Sequence, residues 1–334
     1  MVGISILVWI GPTLRDAFIV NIASSLVAAL FIGWFVGRMP WRFSLAETRR
    51  IMQLAMPIGI LTVGLQLLPT IDLWMLSAIG NYPDDAVRGY YVAALSIARI
   101  PSFISNGLNA VLVTSIASAM GAGDRVAVQR VMELTVRFLL VALLPAGALI
   151  AVNARDILTL LFSPEFAPAA PLLAVLGFAQ GVCMTSFGTL LSIMTGGRQA
   201  KTASRLAMAL VPIVILFSLV GVSLFGALGA AVASLLSCAT AVVGAGMLLW
   251  REYGSFARAG TVLRIVLATL AAAVVSAHIE AEGVWLLVEL VLIGLVYLAA
   301  LPVLGIVGRS DLDVLRGGKV AGAGGQVAAE AGDG

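Results

Sequence analysis

An all-α polytopic membrane protein is the fold class that this 334-residue sequence predicts, on three observations. First, the residues are 61% hydrophobic and only 11% charged, with a mean hydropathy of +1.08. Soluble domains carry about 45–50% apolar and about 25% charged residues, so a surface this apolar needs lipid rather than water around it. Second, the apolar residues gather into runs of about 20, the length at which a helix rising 1.5 Å per residue crosses about 30 Å of hydrocarbon. Third, Lys and Arg alternate between successive connections, as they do when only one side of a membrane holds them.

In chain order, the sequence predicts nine full spans at 17–37, 52–80, 86–118, 131–151, 169–195, 203–222, 224–250, 263–278 and 284–307. The run 263–278 is the shortest. Ahead of them, residues 1–10 are apolar but reach only about 15 Å as a helix, and they read as the end of a helix whose beginning is absent. They do not read as a signal peptide, because no basic residue precedes Arg15. On one side of the predicted membrane lie Arg38, Arg42, Arg49, Arg50, Arg125, Arg130, Arg137, Arg198, Lys201, Arg205, Arg251, Arg258, Arg264, Arg309, Arg316 and Lys319. The other side has Arg15, Arg88 and Arg155. Cytoplasmic connections hold the basic excess, so the C-terminus is expected in the cytoplasm and the chain in the inner (plasma) membrane, crossing it several times. Acids such as Asp16, Asp84, Asp85, Asp156, Glu165, Glu280 and Glu282 fall on the outer side. Trp34, Trp41, Tyr82, Trp250 and Trp285 fit interfacial anchors near span ends. The Gly- and Ala-rich tail, 308–334, reads as disordered.

Several classes drop out. A net charge of +3 and a pI near 9.1 do not indicate nucleic acid, because the basic residues are scattered between apolar runs. With two cysteines, Cys183 and Cys238, both in apolar runs, and one histidine, His278, no zinc spacing exists. His278 with Glu280 and Glu282 reads as a solvated helix end, and neither metal nor cofactor is expected. Residues 196–202 resemble a phosphate-binding loop, but Thr195 and Ala200 stand where its two glycines belong. The short connections leave no loop for covalent catalysis, so the protein is not expected to be an enzyme.

Ionisable residues at membrane depth carry the information, since each costs about 2.5–3.5 kcal/mol at a helix centre unless a partner or a wet cavity receives it. Asp72 and Arg99 stand out. Counted from the turn near Pro83, their depths differ by about 7 Å, which long side chains can cover. Two readings stay open. Either they form a structural ion pair, or Arg99 faces a central cavity and holds an anionic group while Asp72 orients it or exchanges a proton. Arginine suits phosphate because its planar fork donates two parallel hydrogen bonds. Gln66, Asn106, Asn109 and Gln180 either line the same lumen or bond between helices. Glu289, in the last span, reads as lumenal or as a helix contact. Prolines 57, 69, 101, 145, 171, 212 and 302 lie at or inside spans and suit kinked helices. Gly226, Ala230, Ser234 and Cys238 recur every four residues and predict a close helix contact.

Several segments together carry a resemblance. They are Met56-Pro57-Ile58-Gly59, Thr70-Ile71-Asp72-Leu73-Trp74-Met75-Leu76, Gly89-Tyr90-Tyr91-Val92-Ala93-Ala94 and Ala98-Arg99-Ile100-Pro101, then Gly121-Ala122-Gly123-Asp124 and Leu160-Leu161-Phe162-Ser163-Pro164-Glu165-Phe166 with Pro168-Ala169-Ala170. In this order they resemble the second half of the polysaccharide transporter (oligosaccharide flippase) family, within the multidrug, oligosaccharidyl-lipid and polysaccharide flippase superfamily. The resemblance implies two six-helix lobes around a cavity, with any extra helix pair after the second lobe. It assigns 52–250 to the second lobe, 263–307 to the extra pair and 1–37 to the end of the first lobe, of which about five helices are absent. A misassigned start, a fragment or a partner-dependent chain would each explain that departure.

The activity implied is outward movement of undecaprenyl-pyrophosphate-linked oligosaccharide by alternating access, for lipopolysaccharide or exopolysaccharide synthesis. Its partners would be the lipid-linked oligosaccharide, membrane lipids and other polysaccharide biosynthesis proteins, with Arg99, Asp72, Gln66, Asn106, Asn109 and Gln180 as candidate binding residues. Rival readings are a cation-coupled exporter of drugs or of the peptidoglycan precursor, for which Asp72 is the acidic candidate, and a nontransporting membrane subunit. A membrane-bound polymerase or glycosyltransferase is disfavoured by the short outer loops.

Overall fold

The computed structural model describes residues 14–36, 45–79, 86–103, 105, 114, 116–118, 121, 125–196, 199–254, 259–279 and 283–303. Every regular element among them is helical. The helices are α1 (Leu14–Val36), α2 (Leu45–Ile79), α3 (Ala86–Ala98), α4 (Arg125–Val152) and α5 (Ala154–Leu161), then α6 (Ala170–Leu176), α7 (Thr185–Gly196), α8 (Ala200–Tyr253), α9 (Ala259–Ala277) and α10 (Val284–Val303). A short 3-10 turn, Pro164–Ala169, precedes α6, and a π-helical segment, Gly177–Met184, joins α6 to α7. Helices thus occupy, at least in part, each of the nine predicted apolar stretches. By length and composition, Val128–Val152, Pro164–Gly196, Ala200–Tyr253, Gly260–Ala277 and Trp285–Pro302 each suffice to cross a membrane. The α2 axis bends by 45° between Thr62–Leu68 and Thr70–Ile79. The intervening Pro69 has no N–H to give the helical ladder, which is the expected cause of such a bend.

Contacts divide the chain into two units, Met1–Ala55 and Met56–Gly334. In the first, α1 exposes Leu26, Leu30, Phe31 and Trp34. The second unit is built on two apolar cores. Leu68 and Ile71 of α2, Met132 and Val136 of α4, Phe187 and Met194 of α7, and Leu210, Val214, Ala241 and Ala245 of α8 form one. Leu76 of α2, Tyr91 and Leu95 of α3, Leu158 of α5, Leu173 and Leu176 of α6, and Val222, Ala230 and Ala231 of α8 form the other. Around them α10 turns Trp285, Val291, Val296 and Leu298 outward, as a helix facing acyl chains does. Lipid is as apolar as leucine, so close packing of small residues rather than removal from water drives such helices together.

The 54-residue α8 is a hairpin of two helices. Its backbone breaks at Gly226, with φ 61° and ψ −135°, a left-handed conformation that favours glycine. Beyond the break the chain returns antiparallel. A Cβ built on Gly244 would touch Leu206 at 3.8 Å, while one built on Gly229 would lie 1.8 Å from the Gly221 carbonyl oxygen. The two predicted spans 203–222 and 224–250 are therefore the arms of one hairpin. Gly226 leaves the predicted stripe to make the turn, while Ala230, Ser234 and Cys238 are buried as the stripe requires.

The apposition at Gly229 yields a test. Gly229→Ala cannot be accommodated without parting the arms and is expected to cost about 3 kcal/mol or more. Gly254, with φ 70° but open space around its Cβ position, should cost only about 1–2 kcal/mol as Gly254→Ala. Thermal unfolding of the two variants in detergent checks the order.

Candidate functional site

Asp72 sits where the two cores meet. On α2, Leu68 and Ile71 belong to one core and Leu76 to the other. The same change of core occurs around Ser218, between Val214 and Val222, and around Ser234, between Ala231 and Ala241. It occurs again around Gln180, between Leu176 and Phe187. These four polar residues form a layer across the bundle, each at most 4% exposed. Ser218 Oγ donates a hydrogen bond to Asp72 Oδ1. Ser234 also reaches the carboxylate and accepts a hydrogen bond of 2.9 Å from Gln180 Nε2. A small cavity of about 10 Å³, room for about one water, adjoins the layer, lined by Leu68, Asp72, Met184, Phe187, Leu210, Val214, Ser234, Ser237, Cys238 and Ala241.

The helical geometry delivers these groups. Gln180 lies in the π-helical segment, a wider turn of a kind found frequently at functional positions. The segment ends at Thr185, whose hydroxyl donates to the Gln180 carbonyl at 3.0 Å. One turn on, Thr189 Oγ1 donates to the Thr185 carbonyl at 3.1 Å and lies 2.8 Å from Ser105 Oγ. The polar seam thereby continues from Gln180 along α7.

Arg99 marks a turn immediately after α3. The turn is fixed from behind, because Ser102 donates to the Arg99 carbonyl from its N–H at 3.0 Å and from its hydroxyl at 2.6 Å. The side chain is half-buried. Asp72 takes its hydrogen bond from Ser218, and no ion pair joins it to Arg99 among the described residues. Tyr91, fully buried on α3, lies within electrostatic range of both.

Of the other expected site residues, Gln180 joins the layer and Gln66 is exposed on α2. Asn106 and Asn109 lie outside the described residues. Glu289 is a helix contact, bonded to Ser276 of α9. Among the described residues no three His, Cys, Asp or Glu side chains gather as a metal site would require. Ser218 was not singled out by the sequence, where one serine in an apolar run carries no distinguishing pattern, and Tyr91 appeared only within the segment Gly89-Tyr90-Tyr91-Val92-Ala93-Ala94 that carries the resemblance. Ser234 did appear, as a member of the small-residue stripe.

The family model described as polysaccharide biosynthesis protein matches residues 2–171, just over half of the chain. The chain belongs to this family. That membership agrees with the resemblance carried by the motifs between Met56 and Ala170. No curated protein sequence matches. Among solved structures, a chain titled lipid II flippase MurJ, inward closed conformation, is similar, with a TM-score of 0.69, 16% identity and 86% of the present chain covered. The present chain spans 61% of that chain. At this identity the likeness is one of fold, and it establishes for this family member the all-α polytopic membrane architecture that composition predicted.

The layer makes its own prediction. Ser218→Ala leaves the buried carboxylate short of a hydrogen bond and should destabilise the protein by about 1–3 kcal/mol. Ser218→Ala and Ser234→Ala together should be non-additive, since both hydroxyls serve one carboxylate. A double-mutant cycle by thermal unfolding measures the coupling, and strict additivity would refute the shared role.

Proposed function

We propose that the protein moves a lipid-linked oligosaccharide, carried on undecaprenyl pyrophosphate, outward across the plasma membrane for cell-surface polysaccharide synthesis. The observation that carries this reading is the pairing of Asp72 with Ser218 rather than with Arg99. A guanidinium not engaged by that carboxylate keeps its two parallel donors for an anionic ligand, and pyrophosphate is the anion whose geometry they match. An unpaired phosphate charge in hydrocarbon is prohibitively costly, so such cargo needs a polar lumen with a compensating cation while its isoprenoid stays in lipid. Membership of the polysaccharide biosynthesis family supports the glycan part of the reading.

In this reading 52–250 is the second lobe, 263–307 the extra helix pair and 1–37 part of the first lobe, with the C-terminus cytoplasmic as the basic residues direct. Arg99 and the Asp72 layer bind and orient, and no covalent step is assigned to them. Gln66, Asn106 and Asn109 complete the proposed lumen, and Gln180 supports it through Ser234. A second reading, export of the peptidoglycan precursor, is favoured by the fold shared with the lipid II flippase structure.

Arg99→Ala in the native host should lower surface polysaccharide more than about tenfold, the size of effect produced by losing one charge-assisted pair. Membrane abundance and unfolding temperature should be unchanged, and Arg99→Lys should restore part of the activity. Mass spectrometry of the lipid-linked intermediate that accumulates identifies the cargo. A variant that instead disappears from the membrane would make Arg99 structural, and accumulation of the peptidoglycan precursor would select the second reading.

A further inference from the structure

Glu289 is the other carboxylate buried within a predicted span, and the Asp72 layer does not use it. It stands on α10 and is 6% exposed. Its Oε1 accepts a hydrogen bond of 2.9 Å from Ser276 Oγ of α9. Ser276 Oγ in turn accepts one of 2.8 Å from Asn153 Nδ2, at the junction of α4 and α5. Asn153 Nδ2 also donates to the Leu149 carbonyl at 2.9 Å. Asn153 and Ser276 are both buried. Three separate helical elements thus bring an amide, a hydroxyl and a carboxylate together, and Glu289 Oε2 remains buried without a partner.

One hydroxyl cannot compensate a carboxylate, and an unpaired buried charge is among the most costly arrangements a fold can hold. The charged groups of the surrounding helices do not supply the balance. Arg155 and Asp156 on α5 and His278 just beyond α9 lie at the same end of the bundle and are exposed. Arg125, Arg130, Glu133 and Arg137 of α4 and Arg264 of α9 lie more than about 15 Å away along their helices. A buried polar atom left unpartnered in a native fold calls for an explanation, and an ion or a water is one that supplies the missing partner.

We propose that Asn153, Ser276 and Glu289 form a site for a small monovalent cation of the sodium class, which fastens the α9–α10 pair to the α4–α5 corner. The donors are hard oxygens, and one negative charge matches one positive charge. Calcium takes six to eight oxygens, and magnesium an octahedral set, richer than one carboxylate with two neutral groups. Softer metals favour imidazole or thiolate, and the cluster has neither. The Leu149 carbonyl fixes the amide N–H of Asn153, so this side chain ligates only by exchanging its two ends, the cation then replacing its N–H bonds to that carbonyl and to Ser276. The site draws on different helices from the Asp72 layer and does not depend on the cargo proposed above.

The test is thermal unfolding of the full chain in detergent, in sodium chloride against choline chloride at equal ionic strength and fixed pH. Sodium at about ten times its dissociation constant should raise the unfolding temperature by about 2 °C. Glu289→Gln should lose this shift and Asp72→Asn should keep it. Ser276→Ala should reduce it, which gives a readout even where Glu289→Gln does not fold. Equal unfolding temperatures in the two salts, a shift that survives in Glu289→Gln or is unchanged in Ser276→Ala, or one lost in Asp72→Asn would each overturn the proposal.

Discussion

A carboxylate inside an apolar bundle sets the terms for everything near it. Asp72 is 1% exposed, and its helix can hold it there only if other helices bring hydroxyls to it. Ser218 and Ser234 do so from the two arms of α8, and Gln180 braces Ser234 from the π-helical segment. The depths of four helical segments are thereby fixed against one another. Apolar contacts alone would tolerate sliding, because a leucine shifted by a turn still meets lipid or another leucine. A hydrogen bond to a buried charge does not tolerate it.

The two cores are consequences of that layer as much as causes. Each helix that crosses it contributes apolar residues above and below, so that Leu68 and Leu76, one turn to either side of Asp72, pack in different clusters. Side chains near the layer are small where α8 folds on itself, as with Ala230, Ala233 and Ala241. The same economy of space appears around Glu289, where Ser276 and Asn153 bring the last helix pair to the bundle.

The membrane architecture was legible in the sequence because lipid imposes length and composition on every span. Asp72 was legible for the same reason, since a charge in an apolar run is conspicuous. Its partner was not. Counting residues from the turn near Pro83 placed Arg99 at a compatible depth, but depth says nothing of the direction in which a side chain leaves its helix. Arg99 falls at the turn after α3, and the hydroxyl that meets Asp72 comes from a serine 146 positions later in the chain. Serines recur throughout these runs, so no pattern marks Ser218. The four-residue stripe was correct from Ala230 onward and overran at Gly226, because periodicity carries no information about the sign of φ. The π-helical register of Gly177–Met184 likewise arises from packing and leaves no trace in composition.

The hairpin of α8 has a mechanical meaning. Its arms reverse at a single residue and lie so close at Gly221 and Gly229 that neither position has room for a side chain. Two helices joined in this way, and bridged further along through Asp72, cannot pivot independently about their connection. Ala200–Tyr253 therefore behaves as one stiff lever, and any rearrangement of the bundle has to find its hinges elsewhere, where helices end in turns or bend, as at Arg99 and Pro69.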